Sequence, residues 1–203
     1  MLQTIATLLD WFGVCVFALT GALVASRKQM DIVGFALMGS VTGIGGGTIR
    51  DVLLGITPVF WVQNPAYLIT CVVVSCVAFL AAGVTQSKYK YLLWLDAVGL
   101  ALFAVTGAST ALGHGAGATI AIAMGVTTAT FGGIIRDILG GEIPVILSRE
   151  IYITAALIGA GAYVGLVKLG TTQEVAIVIG FFAALALRSA ALVWELSLPR
   201  YRP

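Results

Sequence analysis

The chain has 203 residues, of which 60% are hydrophobic and only 10% carry a charge. Soluble domains carry about 25% charged residues, so the composition excludes an ordinary soluble domain and predicts an integral membrane protein surrounded by a lipid bilayer. The formal net charge is only +2 and the basic residues are scattered. This excludes an extended nucleic-acid interface.

Apolar stretches long enough to cross a membrane follow one another along the chain. About 20 residues are needed to cross the hydrocarbon core. Seven stretches are candidates, at roughly 4–25, 32–48, 65–86, 91–112, 116–134, 151–169 and 174–196. The sequence therefore predicts an all-α, polytopic membrane protein with seven transmembrane helices.

The second and fifth of these stretches are short and end in glycine clusters. Each is followed by an apolar segment that stops at a proline, Pro58 or Pro144. Glycine lets a helix bend, and irregular backbone at membrane depth is tolerated where protein or a water-filled cavity satisfies it. We therefore expect the second and fifth helices to be interrupted, at 45–47 and at 132–133.

A shift of 86 positions superposes the first half of the sequence on the second. The matches include residues that chance similarity between apolar segments hardly supplies: Asp10/Asp96, Thr20/Thr106, Thr42/Thr128, Gly46/Gly132, Arg50/Arg136, Asp51/Asp137 and Pro58/Pro144. The sequence therefore predicts a first three-helix repeat over residues 1–86, a second over 87–172, and a seventh helix with a tail over 173–203.

The two predicted repeats are inverted, because each has an odd number of spans and the second enters the membrane in the opposite direction. Basic residues accumulate on the cytoplasmic side of membrane proteins. One side receives Arg27, Lys28, Lys88, Lys90, Arg136, Arg149, Arg200 and Arg202, whereas the other receives Arg50 and Lys168. This distribution predicts an N-terminus outside the cell and a cytoplasmic C-terminus.

The strongest candidate site is a motif that occurs once in each repeat, as GGGTIRD over 45–51 and FGGIIRD over 131–137. Inverted repeats with broken helices at corresponding positions are typical of transporters, whose substrate path follows the repeat interface. Charged residues inside a membrane also favour a functional interpretation. The candidate residues are Gly45, Gly46, Gly47, Arg50, Asp51, Gly132, Gly133, Arg136 and Asp137.

Two interpretations of this motif stay open. Either its charges line a hydrated path, or they form structural ion pairs beside glycines that only tighten helix packing. Asp10 and Asp96 lie within their predicted spans. Each of them either pairs with the arginine of its own repeat or lines the path.

No motif in the sequence points to an enzyme. The sequence contains neither H-E-x-x-H nor G-x-S-x-G, and its one histidine, His114, cannot furnish a metal site alone. GGGTIRD has no following lysine, so it is not a phosphate-binding loop of the Walker type. We expect no catalytic activity, no cofactor and no resident metal ion.

The doubled glycine and Arg-Asp motif, in two three-span repeats followed by a seventh span, resembles the TRIC family, the trimeric intracellular cation channels. It also resembles the related bacterial membrane proteins that are named as glycine transporters. The resemblance implies a homotrimer in the cell membrane of a prokaryote, with one pore per protomer that conducts potassium and other monovalent cations. The alternatives are a secondary transporter of glycine or another small solute, and a scaffold that transports nothing.

Within this resemblance, we expect the narrowest point of the pore between the two helix interruptions. Thr42, Thr128 and freed glycine carbonyls would line it, because oxygen dipoles replace part of a cation's hydration without binding it too tightly. Arg50 and Arg136 would flank that point from opposite sides, each neutralised by a carboxylate. K⁺ or Na⁺ would occupy the pore only in transit.

Overall fold

The computed structural model describes residues 2–81, 88–147 and 151–197, and its regular elements are helices joined by short turns. The expected all-α class is confirmed. The helices are α1 (Leu2–Arg27), α2 (Ile32–Leu54), α3 (Phe60–Gln63), α4 (Ala66–Ala81), α5 (Lys88–Gly113), α6 (Ala118–Leu139), α7 (Ile153–Lys168) and α8 (Gln173–Trp194). A 3-10 turn covers Val145–Leu147.

Among the described residues, five helices are long and apolar enough to cross a membrane: α1, α2, α5, α6 and α8. The chain is therefore a multi-pass membrane protein. α4 and α7 are apolar but have 16 residues each, a rise of about 24 Å against a hydrocarbon core of about 30 Å. These two helices coincide with the predicted third and sixth spans, and the count of seven spans stays a prediction.

Some sequence-based predictions fall outside the described residues. They are the end of the predicted third span, the repeat boundary at 86–87, and Arg149, Arg200 and Arg202 of the charge count.

α2 and α6 run through their glycine clusters without a break. α2 continues to Leu54 and α6 to Leu139, so the expected interruptions at 45–47 and 132–133 are wrong and the glycine carbonyls are not freed. An unsatisfied backbone group in hydrocarbon costs several kcal/mol, more than the roughly 1 kcal/mol that a glycine costs within a helix. α2 ends instead at Gly55, whose φ of 69° is left-handed and whose N–H bonds to the carbonyls of Asp51 and Val52.

The glycines of α2 and α6 let the two helices touch through their backbones. A Cβ atom added to Gly46 would collide with the carbonyl oxygen of Thr128, and one added to Gly132 would collide with that of Thr42. In each helix the threonine precedes the glycine, and the threonine of one helix faces the glycine of the other. The two helices therefore cross in antiparallel directions. Small residues at a crossing are the usual means of close helix packing in membranes.

α1 and α5 pack reciprocally in the core. Phe17 fills the space opposite Gly99, and Phe103 fills the space opposite Gly13. The two buried rings meet edge to face, with centroids 5.0 Å apart. α1 and α5 are therefore antiparallel, with two aromatic rings inserted opposite two glycines.

α8 packs on α5 and α7. Gly159 of α7 allows the close approach, since an added Cβ there would lie 2.6 Å from the Cβ of Ala184. Arg188 of α8 is completely buried. α8 therefore brings into the bundle a cation that belongs to neither predicted repeat.

Replacing Gly46 or Gly132 by alanine is expected to lower the free energy of unfolding by about 1–3 kcal/mol, because the added Cβ overpacks a backbone contact. The matched control is Gly165→Ala in α7, where an added Cβ meets no atom within 4 Å and helix propensity rises. Denaturant unfolding in detergent micelles measures the difference. Equal stability of Gly46→Ala and Gly165→Ala would contradict the close crossing.

Candidate functional site

Arg50 and Asp51 form a buried ion pair near the end of α2. Arg50 Nε donates to Asp51 Oδ1 over 2.8 Å, and a terminal guanidinium nitrogen lies 2.7 Å from the same oxygen. The two side chains are only 5% and 1% exposed. Asp51 Oδ2 accepts a hydrogen bond of 2.9 Å from the backbone N–H of Phe60. Asp51 therefore holds the arginine with one oxygen and the start of α3 with the other.

Arg136 and Asp137 repeat this arrangement near the end of α6. Arg136 Nε donates to Asp137 Oδ1 over 2.9 Å, and Asp137 Oδ2 accepts from the N–H of Val145 over 3.1 Å. The duplicated motif therefore builds the same local structure twice. In each copy the arginine is neutralised by its neighbour, and the aspartate anchors the segment that follows the helix.

Further side chains complete the environment of Arg136. Asp96 Oδ1 lies 2.7 Å from Arg136 Nη1, which also donates to the hydroxyl oxygen of Thr20 over 3.1 Å. Arg136, Asp96 and Thr20 are completely buried. The structure thus places Asp96 in an ion pair with the arginine of its own predicted repeat.

Tyr152 lies beside Asp96, and Arg188 lies beside Tyr152. The Tyr152 hydroxyl interacts electrostatically with Asp96, and the guanidinium carbon of Arg188 lies 5.1 Å from the centre of the Tyr152 ring. Both side chains are buried. We call the group of Thr20, Asp96, Arg136, Asp137 and Tyr152 the Arg136 cluster.

Asp10 occupies the sequence position equivalent to Asp96 but has a different environment. Thr106 Oγ1 lies 3.5 Å from Asp10 Oδ1, and the Tyr67 hydroxyl interacts with the same carboxylate. Among the residues that the structure describes, Arg50 has an ion pair with Asp51 and none with Asp10. Asp10 instead borders a cavity of about 160 Å³. We call the group of Asp10, Arg50, Asp51, Tyr67 and Thr106 the Arg50 cluster.

Sequence reasoning did not single out Tyr67 and Tyr152. The two tyrosines occupy equivalent places, beside Asp10 and Asp96, but they are 85 rather than 86 positions apart. The N–H donors at 60 and 145 show the same spacing. A one-residue gap after Pro58 would have aligned the two tyrosines and revealed the pair.

Thr42 and Thr128 lie at the crossing of α2 and α6. Their hydroxyls donate to carbonyls one turn earlier, to Met38 over 2.6 Å and to Met124 over 2.7 Å. The hydroxyl oxygens keep lone pairs for a further partner. The other glycines of the motif face side chains: Gly45 faces Ile135, Gly47 faces Phe60, and Gly133 faces Tyr152.

The two clusters lie at different depths along α1 and differ in charge. Asp10 and Thr20 are ten residues apart in that helix, a rise of about 15 Å. With all groups ionised, the Arg50 cluster has one arginine and two aspartates, hence a formal charge of −1. The Arg136 cluster also has one arginine and two aspartates, hence a formal charge of −1. Including the neighbouring Arg188 brings the formal charge to zero.

The chemistry of these clusters suits passage or weak binding of cations. They present carboxylate and hydroxyl oxygens, which stand in for part of a cation's hydration shell. Within the described ranges, no three His, Cys, Asp or Glu side chains are grouped so that they could hold a metal ion.

Asp96→Asn is expected to destabilise the protein by about 3 kcal/mol, because it removes one partner of a completely buried guanidinium. The matched variant, Asp10→Asn, is expected to cost much less, since Asp10 has no ion pair with Arg50. Denaturant unfolding of both variants in the same detergent measures the difference. Equal losses would show that the two clusters are energetically equivalent, against this interpretation.

Sequence comparisons match most of the chain. A protein-family profile described as "Glycine transporter" matches residues 7–83 and 93–168. The chain is 42% identical over 198 residues to the UPF0126 inner membrane protein YadS of Escherichia coli, covering 95% of this chain and 94% of that protein. Solved structures similar to the chain are channels and not enzymes, in agreement with the sequence-based expectation.

Solved structures of channels superpose on nearly the whole chain. One is the TRIC trimeric intracellular cation channel orthologue from Rhodobacter sphaeroides, with a TM-score of 0.93 and 65% identity, covering 96% of this chain and 100% of that one. Another is a prokaryotic TRIC channel crystallised in 0.5 M KCl, with a TM-score of 0.89 and 32% identity, covering 97% and 100%.

Proposed function

This chain belongs to the glycine transporter family and to the TRIC channel family, and we propose that it conducts monovalent cations, chiefly potassium, passively across the cell membrane. The observation that carries this proposal is the nearly complete superposition on the channel orthologue from Rhodobacter sphaeroides. The excess of carboxylates over arginines in the Arg50 cluster supports a preference for cations.

We place the path between the two clusters, across the contact of α2 and α6. Thr42 and Thr128 supply hydroxyl oxygens there, and Arg50 and Arg136 lie on opposite sides of the crossing, each paired with the aspartate that follows it. Pairing matters, because an unpaired arginine in a poorly screened site would repel cations. Since α2 and α6 are in backbone contact, conduction requires the two helices to move apart locally.

The topology that we propose has seven spans in two inverted three-helix repeats plus α8. The reciprocal contacts of α1 with α5 and of α2 with α6 support this arrangement, because each joins equivalent helices in antiparallel directions. The basic residues favour an N-terminus outside and a cytoplasmic C-terminus.

The alternative function, a secondary transporter of glycine, has the family description in its favour. The site argues against it. A glycine carboxylate needs a cationic partner, yet Arg50 and Arg136 already hold aspartates at 2.7–2.9 Å. The substrate would have to displace a carboxylate that is tethered next to the arginine in sequence.

Proteoliposomes that contain the purified protein are expected to pass K⁺ down its gradient and to accumulate no labelled glycine above protein-free vesicles. Planar bilayers should show discrete single-channel currents, because a channel offers a continuous wet path with weak sites. Glycine accumulation without K⁺ current would favour the carrier instead.

A pair of variants tests the path itself. Thr128→Val keeps the side-chain volume but removes the oxygen, and we expect about a fivefold fall in conductance, the factor for about 1 kcal/mol of lost interaction. Thr130→Val is the control, since Thr130 has the same bond to a carbonyl one turn earlier but lies on another face of α6 from Thr128. Equal conductance of both variants would show that the ion path does not pass Thr128.

We expect a homotrimer with one pore in each protomer, as the trimeric channel orthologue suggests. The measurement is native mass spectrometry or light scattering in mild detergent. With a protomer of 21.0 kDa, three copies give a protein mass of about 63 kDa, and packing through small residues is expected to hold them together. A uniform dimer of about 42 kDa across detergents would contradict this proposal.

A further inference from the structure

Two thiols lie side by side between α1 and α4. Cys15 of α1 is partly exposed and Cys71 of α4 is completely buried, and both are free cysteines. We propose that these two thiols form a binding site for one soft divalent metal ion that favours two sulfur ligands, the class to which Hg²⁺ belongs. The bound ion would join α1 to α4. The proposal does not depend on what the protein conducts.

α1 and α4 run in parallel, and their contacts advance together along both helices. The rings of Trp11 and Tyr67 stack with centroids 4.0 Å apart. Farther along, the sulfur of Cys71 and the carbonyl oxygen of Val14 lie 2.8 and 3.2 Å from the same point, the position that a Cβ atom on Gly43 would take. The sulfur of Cys71 therefore lies close to the backbone of α1, at the residue that precedes Cys15.

This register brings Cys15 next to Cys71. Cys15 follows Trp11 by four residues, as Cys71 follows Tyr67, and residues four apart share one face of a helix. The stacked rings therefore precede the two thiols by one turn on both helices. The side chains of Cys15 and Cys71 also interact electrostatically. Two separate observations thus place the two thiols as neighbours.

Ligand number and charge select the class of ion. Thiolates prefer soft metals, and within the described ranges no third His, Cys, Asp or Glu completes a group with this pair. Zinc is disfavoured, because its structural sites use four ligands. Two thiolates around a monovalent ion such as Cu⁺ leave a net negative charge, which is costly in a buried apolar site. A divalent ion gives a neutral complex, and Hg²⁺ binds two thiolates in a line.

Binding exchanges protons for the metal and involves no oxidation or reduction. Each thiol releases its proton to the buffer and each sulfur forms one bond to the ion, so that Hg²⁺ and two thiols give one neutral dithiolate complex and two protons. The surroundings suit a neutral complex, since Cys71 belongs to an apolar core cluster with Val14 and Ala18. Mercuric chloride is uncharged, so it enters the apolar region in which Cys15 is partly exposed.

The experiment titrates the reduced full-length protein in detergent with HgCl₂. X-ray absorption at the mercury edge counts the sulfur neighbours of the ion, and native mass spectrometry counts the ions bound. We expect one mercury atom per protomer with two sulfur neighbours. Displacement by the monothiol 2-mercaptoethanol then measures affinity. Cys15→Ala and Cys71→Ala should each weaken binding about a hundredfold or more, because the second thiol of the parent acts at a high effective concentration.

Cys76→Ala is the matched control. Cys76 is a partly exposed cysteine of α4, but it lies five residues from Cys71 and hence on another face of the helix. This variant should bind mercury like the parent. Size-exclusion chromatography of each variant separates loss of binding from loss of fold, and Cys15→Ala disturbs the core less than Cys71→Ala because Cys15 is partly exposed.

Three results would overturn the proposal: a single sulfur neighbour of mercury in the parent, an unchanged affinity in the folded Cys15→Ala and Cys71→Ala variants, or equal weakening in Cys76→Ala. Failure of the channel proposal is distinguishable, because none of these measurements needs a current.

Discussion

The burial of Arg136 is the constraint on which the rest of the bundle depends. A guanidinium among apolar helices is tolerated only when carboxylates neutralise it and acceptors receive its protons. Its partners come from three helices, with Asp137 on α6, Asp96 on α5 and Thr20 on α1. Moving α5 away from α6 strands the buried charge of Asp96, and moving α1 away leaves a guanidinium N–H without its acceptor Thr20. The Arg136 cluster therefore holds α1, α5 and α6 in one mutual register, which is also the register of the glycine contacts of the core.

This constraint also limits where the bundle can open. At the Arg136 end, separating the helices breaks an ion pair that has no exposure to water. At the Arg50 end, Asp51 of the same helix neutralises the arginine. Asp10 of α1 lies in the same cluster but forms no ion pair with Arg50. α1 can therefore shift against α2 there at a lower electrostatic cost. On the proposed function, the adaptable end of each pore is the end with the Arg50 cluster.

The sequence indicated the all-α membrane protein and the doubled charged motif, because hydropathy, a constant offset and intramembrane arginines are properties of single residues or simple spacings. It did not indicate that α2 and α6 continue through their glycines. Glycine clusters favour a bend when a helix is considered alone, whereas here Gly46 and Gly132 are needed by the neighbouring backbone. Tyr67 and Tyr152 were missed because the offset changes by one residue after the prolines. The contrast between Asp10 and Asp96 was also invisible, since it depends on three-dimensional distances.

Arg188 explains why two copies of one motif do not give two identical sites. α8 has no counterpart in the repeats, and it places Arg188 beside Tyr152, next to Asp96. With Arg188 included, the formal charge of that end is zero when all groups are ionised. The Arg50 cluster has no such neighbour in the described part of the chain, and its excess carboxylate remains at an oxygen-lined cavity. The two copies of the motif thus have electrostatically different surroundings, and α8, which contributes Arg188, is part of that difference.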